Sequence, residues 1–147
     1  MGLIDQLNGT KVCIDTAPFI YFIEEHPVYL DIVKPVFASI DAGNIEALTS
    51  TVTLLEVLVH PFRMNNELLA GKYRKILLFS EGVTTVSVTD ELSETAAKLR
   101  AKYSIKSPDA LQLATGIFFG ADIFLTNDRN LKNIDETQVV VLEDFID

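Results

Sequence analysis

Four acidic residues, Asp15, Glu56, Asp109 and Asp128, stand where an α/β chain could bring them together. Asp15 closes the apolar run Lys11–Asp15, and Asp128 ends the stretch Leu125-Thr126-Asn127-Asp128. Asp109 follows Ser107-Pro108, a helix start in which Ser107 is the expected N-cap and proline takes the first helical position. Glu56 lies among Leu54, Leu55, Val57 and Leu58, neighbours that leave little room for a solvated face. Carboxylates held close together repel, so such a set takes up protons or gathers around positive charge. An oxygen-only set, with no His or Cys beside it, suits a hard ion such as Mg²⁺ or Mn²⁺. Such an ion clamps phosphodiester oxygens, activates water and neutralises a leaving oxygen, which is the chemistry of nucleases.

Each acid also has a purely structural alternative. Asp15 or Thr16 could cap the helix that follows, Glu56 could be an exposed helix position, Asp109 could favour a helix dipole, and Asp128 could close a turn. Thr16, Ser50, Thr126 and Asn127 are candidates to position waters or phosphate oxygens by hydrogen bonding. Lys106 and Arg129, each close in sequence to an acid, are the candidate phosphate contacts. The basic groups Lys98, Arg100, Lys102 and Lys72, Arg74, Lys75 are more simply solvated helix faces. The run Phe19–Ile23 is apolar all round and is expected to pack against the sheet or a partner subunit. Cys13 is expected as a core thiol, and His26 and His60, each before a proline, as structural residues at helix ends.

The elements that must position these residues alternate along the chain. Strands are expected at Lys11–Asp15, Glu46–Ser50, Val83–Val88, Asp122–Thr126 and Gln138–Leu142. Helical patterns cover Ala17–Glu25, Val28–Ala42, Val52–Val59, Glu67–Phe79, Glu91–Tyr103 and Pro108–Phe119. Asp90 is the expected cap of the fifth of these, Gly43 and Gly82 are expected to end the helices before them, and Pro35 should kink or split the second. The alternation implies parallel strands joined by right-handed crossovers, hence a three-layer α/β/α sandwich. In an open sheet of this kind, ligands collect beyond the carboxyl ends of the strands. Asp15, Asp128 and the start of the Glu56 helix map to that edge. Asp109 joins them if its helix also begins there.

Composition limits the alternatives. The 147 residues, 48% hydrophobic and 22% charged, suit one ordered domain spanning residues 1–147. No apolar run is long enough to cross a bilayer. The first residues lack a secretory pattern, and Gln6 breaks the myristoylation pattern. A single cysteine allows no internal disulfide, and a cytoplasmic setting is the simplest expectation. The net charge of −9 argues against a module that grips duplex nucleic acid through its phosphates.

The blocks Ile14-Asp15-Thr16, Thr53-Leu54-Leu55-Glu56-Val57, Ser107-Pro108-Asp109-Ala110-Leu111 and Leu125–Leu131 resemble those of the PIN domain, in particular the VapC-like toxins of prokaryotic toxin–antitoxin pairs. The resemblance spans nearly the whole chain. It implies a five-stranded parallel sheet and a Mg²⁺- or Mn²⁺-dependent endoribonuclease with RNA as substrate. It also implies a homodimer restrained by a cognate antitoxin. Asp15, Glu56, Asp109 and Asp128 would be its acidic set and Thr126 the polar residue beside them, with Asp15 and Asp109 holding the principal ion. The negative charge departs from the simplest picture of a ribonuclease. Three other readings compete. An aspartate-nucleophile phosphatase needs a carboxylate two residues after Asp15, where Ala17 stands. A phosphoacceptor receiver domain needs a lysine after a late strand, and none follows the last one. A PIN-like module without catalysis would serve only protein interaction.

Overall fold

The computed structural model describes residues 2–147. Five strands, β1 (Lys11–Ile14), β2 (Glu46–Ser50), β3 (Val83–Val86), β4 (Ile123–Thr126) and β5 (Gln138–Val141), form one parallel sheet in the order β3-β2-β1-β4-β5. Seven helices accompany them among the described residues: α1 (Leu3–Leu7), α2 (Thr16–Ile23), α3 (Leu30–Asp41), α4 (Thr51–Arg63), α5 (Glu67–Leu78), α6 (Asp90–Lys102) and α7 (Ser107–Phe118). The expected fold class is therefore the observed one. None of these helices is long and apolar enough to cross a membrane.

The central strands are apolar on both faces because both faces are covered. Side chains alternate along a strand, and this alternation sorts them into two cores. Val12 and Ile14 of β1, Ala47 of β2 and Ile123 and Leu125 of β4 join Phe19, Phe37 and Tyr73 on one side. Cys13, Leu48 and Phe124, the residues between them, join Leu92, Leu99 and Leu113 from α6 and α7 on the other. Helix α7 sits tightly on β1. A Cβ added at Gly116 would lie 3.0 Å from that of Cys13.

Several local expectations change. Helix α1 has no counterpart in the expected elements. Helix α3 runs unbroken through Pro35, which is exposed, so the carbonyl that loses its N–H partner faces water. Helix α4 likewise continues beyond His60 through Pro61, which is buried on the same stripe as Thr53 and Val57. Gly43 ends α3 with φ +82°, as expected. Gly82 lies beyond the end of α5 and serves a different need: a Cβ there would come within 2.8 Å of Ile40 Cγ2. Thr89, not Asp90, caps α6, its hydroxyl accepting from the Leu92 N–H. Lys106 is the N-cap residue of α7, while Ser107 is already helical and its Oγ accepts from Arg100 Nη1.

Candidate active site

Strand β1 is where the strand order reverses, with β2 on one side and β4 on the other. That crevice is the ordinary ligand position of an open parallel sheet. Asp15 sits there as the N-cap of α2, 9% exposed. Its Oδ1 accepts from the Thr16 N–H at 2.8 Å and its Oδ2 from Thr126 Oγ1 at 2.8 Å. Register explains the second bond: Ile14 pairs with Leu125, so the residues that follow lie side by side. Thr126 is fully buried, and its Oγ1 also accepts from the Asp128 N–H at 3.0 Å. One hydroxyl thus ties two of the acids together. Asp128 Oδ1 accepts from Asn130 N–H and starts a short 3-10 turn over Arg129–Leu131.

Asp109 lies in the first turn of α7, half-buried, and Glu56 lies in α4. Glu56 is exposed, as are Leu55 and Val59 beside it. The expectation that its apolar neighbours exclude a solvated face fails, because α4 leaves some of those apolar residues in solvent. The Glu56 carboxylate is nonetheless fixed at one end, where Oε1 accepts from Thr16 Oγ1 at 2.6 Å.

The electrostatics show that the acids share a neighbourhood. Burial pushes the Asp15 carboxyl up to about 6; the bonds from Thr126 and the Thr16 N–H oppose this, and the charges of Asp109 and Glu56 add to it. Asp109 is also raised, first by burial and then by the charges of Asp128 and Glu56, with Lys106 pulling the other way. Asp109 therefore senses Asp128 and Glu56, and Asp15 senses Asp109 and Glu56. Among the described residues no three acids stand close enough to make a ready-formed metal cage. The donor set fits Mg²⁺ or Mn²⁺ held partly through water, as Mg²⁺ usually is, rather than a site enclosed by protein oxygens. Burial is the first cause of both rises, and Lys106 opposes the one at Asp109.

The supporting candidates divide. Thr16 and Thr126 touch the acids directly. Ser50 is fully buried, caps α4 through the Val52 N–H and donates to Gln112 Oε1 at 2.7 Å, so its hydroxyl serves the fold. Asn127 is engaged at both ends, donating to Tyr21 Oη and accepting from the Glu143 N–H. Lys106 is exposed, forms no ion pair among the described residues and acts on Asp109. Arg129 is turned elsewhere, paired with Asp144 at 2.9 Å and Glu143 at 3.5 Å. Cys13 is a fully buried thiol pushed up by burial, and His26 Nδ1 accepts from the Val28 and Tyr29 N–H groups in a turn. Phe19 and Phe22 pack on Phe37 of α3.

One residue escaped the sequence reading. Gln112 is fully buried at the meeting point of α7, α4 and α2. Its signal was an amide three residues after Asp109, on the same helix face and beside the apolar stripe of Ala110, Leu113 and Ala114.

The sequence model of the PIN domain matches residues 12–137. The chain belongs to the PIN-domain family. Solved structures with the same fold include the VapBC2 complex of Rickettsia felis bound to a promoter DNA fragment. That match has 17% identity and a TM-score of 0.72, covering 89% of this chain and 98% of that one. A toxin–antitoxin complex from Klebsiella pneumoniae follows at 19% identity and TM-score 0.67, covering 90% and 98%. A Mycobacterium tuberculosis VapC toxin that cleaves the sarcin–ricin loop matches at 19% identity and TM-score 0.64, covering 78% and 87%. No curated protein sequence matches the chain. At these identities the neighbours establish the PIN fold of the VapC toxins.

Proposed function

We propose that the protein is a Mg²⁺- or Mn²⁺-dependent endoribonuclease, the toxin member of a toxin–antitoxin pair. The observation that carries this reading is the placement at the strand-order reversal of Asp15 and Asp128, tied by the Thr126 hydroxyl, with Asp109 and Glu56 near enough for their charges to act on Asp15. Asp15 and Asp109 are the principal ligands, and Asp128 completes the set. When bound, the ion supplies positive charge to phosphate oxygens and makes a nearby water more acidic. Thr126 and the Thr16 N–H hold Asp15 in one orientation, leaving its remaining lone pairs for that ion. Glu56, held at Oε1 by Thr16, presents Oε2 to take the proton from the attacking water. The water oxygen forms the new bond to phosphorus as the bond to the leaving oxygen breaks. Lys106 is the cation placed to meet the substrate phosphate.

The partners follow from surface chemistry. A groove of about 360 Å³ between α2, α3 and α5 is lined by Phe22, Ile23, Phe37 and Ile76 and edged by Lys72 and Lys75, with Asp41 also at its rim. It suits an apolar segment carrying acidic residues, the part an antitoxin would contribute. Leu55, Val59 and Phe62 on α4 are exposed at helical spacing and offer a face for a second copy in a homodimer. A protein with these properties would work in the cytoplasm, where its RNA substrate is.

The direct test is cleavage of a defined RNA panel with Mg²⁺, Mn²⁺ or chelator, by wild type and by Asp15→Asn, Glu56→Gln, Asp109→Asn and Asp128→Asn. Metal-dependent cleavage lost in the variants supports the proposal. Wild-type protein that binds Mn²⁺ in calorimetry yet leaves every RNA and DNA intact refutes it. Absence of both binding and cleavage returns the chain to the role of a protein-interaction module.

A further inference from the structure

We infer that Gln112 is a positioning residue for Glu56, acting through the hydroxyl of Thr16; this deepens the nuclease reading and rests on it. Gln112 lies one turn beyond Asp109 on α7, with no exposed surface. Its amide reaches the helix that carries Glu56 and the helix that Asp15 caps. Oε1 accepts from Ser50 Oγ at the cap of α4, and Nε2 donates to Thr53 Oγ1 in the same helix and to Thr16 Oγ1 at 3.4 Å at the start of α2. A buried amide with partners on three elements fixes their relative placement, since moving any one strands a polar group away from water.

The directions of these bonds matter more than their number. Thr49 gives its only hydrogen to the Ile14 carbonyl, so Thr53 must give its own to Thr49 and can only accept from Gln112, which leaves Gln112 Oε1 to accept from Ser50 Oγ. The amide nitrogen must then face the two threonines. From it two one-way chains run outward. In one, Thr53 passes its hydrogen to Thr49, and Thr49 to the Ile14 carbonyl at 2.8 Å. In the other, Thr16 receives from Gln112 and gives its single hydrogen to Glu56 Oε1 at 2.6 Å. With its acceptor side occupied by the amide, the Thr16 hydroxyl is turned toward Glu56. Glu56 is otherwise an exposed side chain on a helix surface, so this bond is what selects one rotamer from several. Gln112 is the buried origin of that selection. It leaves Oε2 as the oxygen that meets water.

The test uses Gln112→Met, which keeps length and volume while removing both ends of the amide, together with Thr16→Val and Thr16→Ser. RNA cleavage is measured at saturating Mn²⁺. Gln112→Met and Thr16→Val are each expected to lower kcat by about tenfold to a hundredfold, the range a misplaced catalytic group loses. KM and Mn²⁺ affinity should stay within about twofold, and Thr16→Ser should restore most of kcat. The double variant should be no slower than the worse single variant, since both break one chain. Losses that multiply, or an unchanged kcat in folded Gln112→Met, overturn the inference and leave the nuclease reading standing. A readout independent of turnover is the Glu56 carboxyl ¹³C resonance. It should move similarly in Gln112→Met and Thr16→Val, and a resonance that moves only in Thr16→Val breaks the link to Gln112 even if no RNA is cut. Should Gln112→Met fail to fold, Gln112→Asn, which keeps the amide but draws it back by one methylene, replaces it with the same expectations.

Discussion

Asp128 and Arg129 are neighbours in sequence, yet they belong to two acid clusters that are wired in opposite ways. On one side, Asp15, Glu56 and Asp128 bond only hydroxyls and backbone N–H groups, Asp109 has the charge of Lys106 nearby, and the carboxyls of Asp15 and Asp109 rise. On the other, Glu143 and Asp144 meet Arg129, and Asp144 also meets Lys132. Asp144 is held below the usual carboxylate range, first by Lys132 and then by Arg129. The second cluster is exposed and supplies its own cations. The first is partly buried and pairs with none, Lys106 acting on Asp109 only through its charge. Acids that a fold needs only for its surface come with partners, whereas acids left facing one another wait for a charge from outside.

The largest effect expected from that contrast is on chemistry. Asp109→Asn should slow Mg²⁺-dependent RNA cleavage by about 10²–10⁴-fold, a range typical for loss of a group acting on the reacting atoms. Single-turnover rates with saturating enzyme measure it directly, and a rate within twofold of wild type would dissolve the distinction between the clusters. The next concerns pH. The Asp15 carboxyl titrates near 6 in the folded protein, above its ordinary value of about 4 in an unfolded chain. Between those values the native state binds more protons than the unfolded state, so the metal-free protein loses stability as pH rises from about 4 to about 6. The loss amounts to at most about 3 kcal/mol. Urea melts of wild type and Asp15→Asn isolate it: the two should agree near pH 4, and the Asn protein should be the more stable at pH 7.

Slightly smaller is the gain from supplying the missing charge. Mg²⁺ at a hundred times its dissociation constant should stabilise wild type by about 2.7 kcal/mol at pH 7. Asp15→Asn should gain far less, and calorimetric melts with and without EDTA separate the two. The smallest effect belongs to the self-paired cluster. Asp144→Asn should leave cleavage within about twofold of wild type and shift the melting temperature little, since exposed ion pairs contribute little. A large loss of cleavage there would mean that Arg129 serves the site after all.

How much of this could be read from the residues depended on whether the cause was local. The parallel sheet followed from β-branched apolar runs alternating with helical stripes, and strand β2 falls at Glu46–Ser50 as expected. Boundaries shifted where a single side chain decided them. Ser107 looked like a cap, but its hydroxyl is committed to Arg100, and Lys106 takes the position. Pro35 looked like a break but faces water, and the helix expected to end at Val59 continues because Pro61 fills its apolar stripe. Asp15, Asp109 and Asp128 were legible because strand ends and helix starts mark the edge of a sheet. Gln112 was not, because its role lies in partners 59 to 96 positions away. Arg129 illustrates the converse, since proximity in sequence to Asp128 does not stop a long side chain from turning to Asp144.

The hydroxyl of Thr126 bridges Asp15 and Asp128, joining the first strand to the segment after the fourth. On the ribosome, the early half of the chain emerges with this bridge unmade. Asp15 gains its Thr126 partner only once translation has passed Asp128 and β4 has docked beside β1. A partner that engages the earlier helices would have that interval in which to bind.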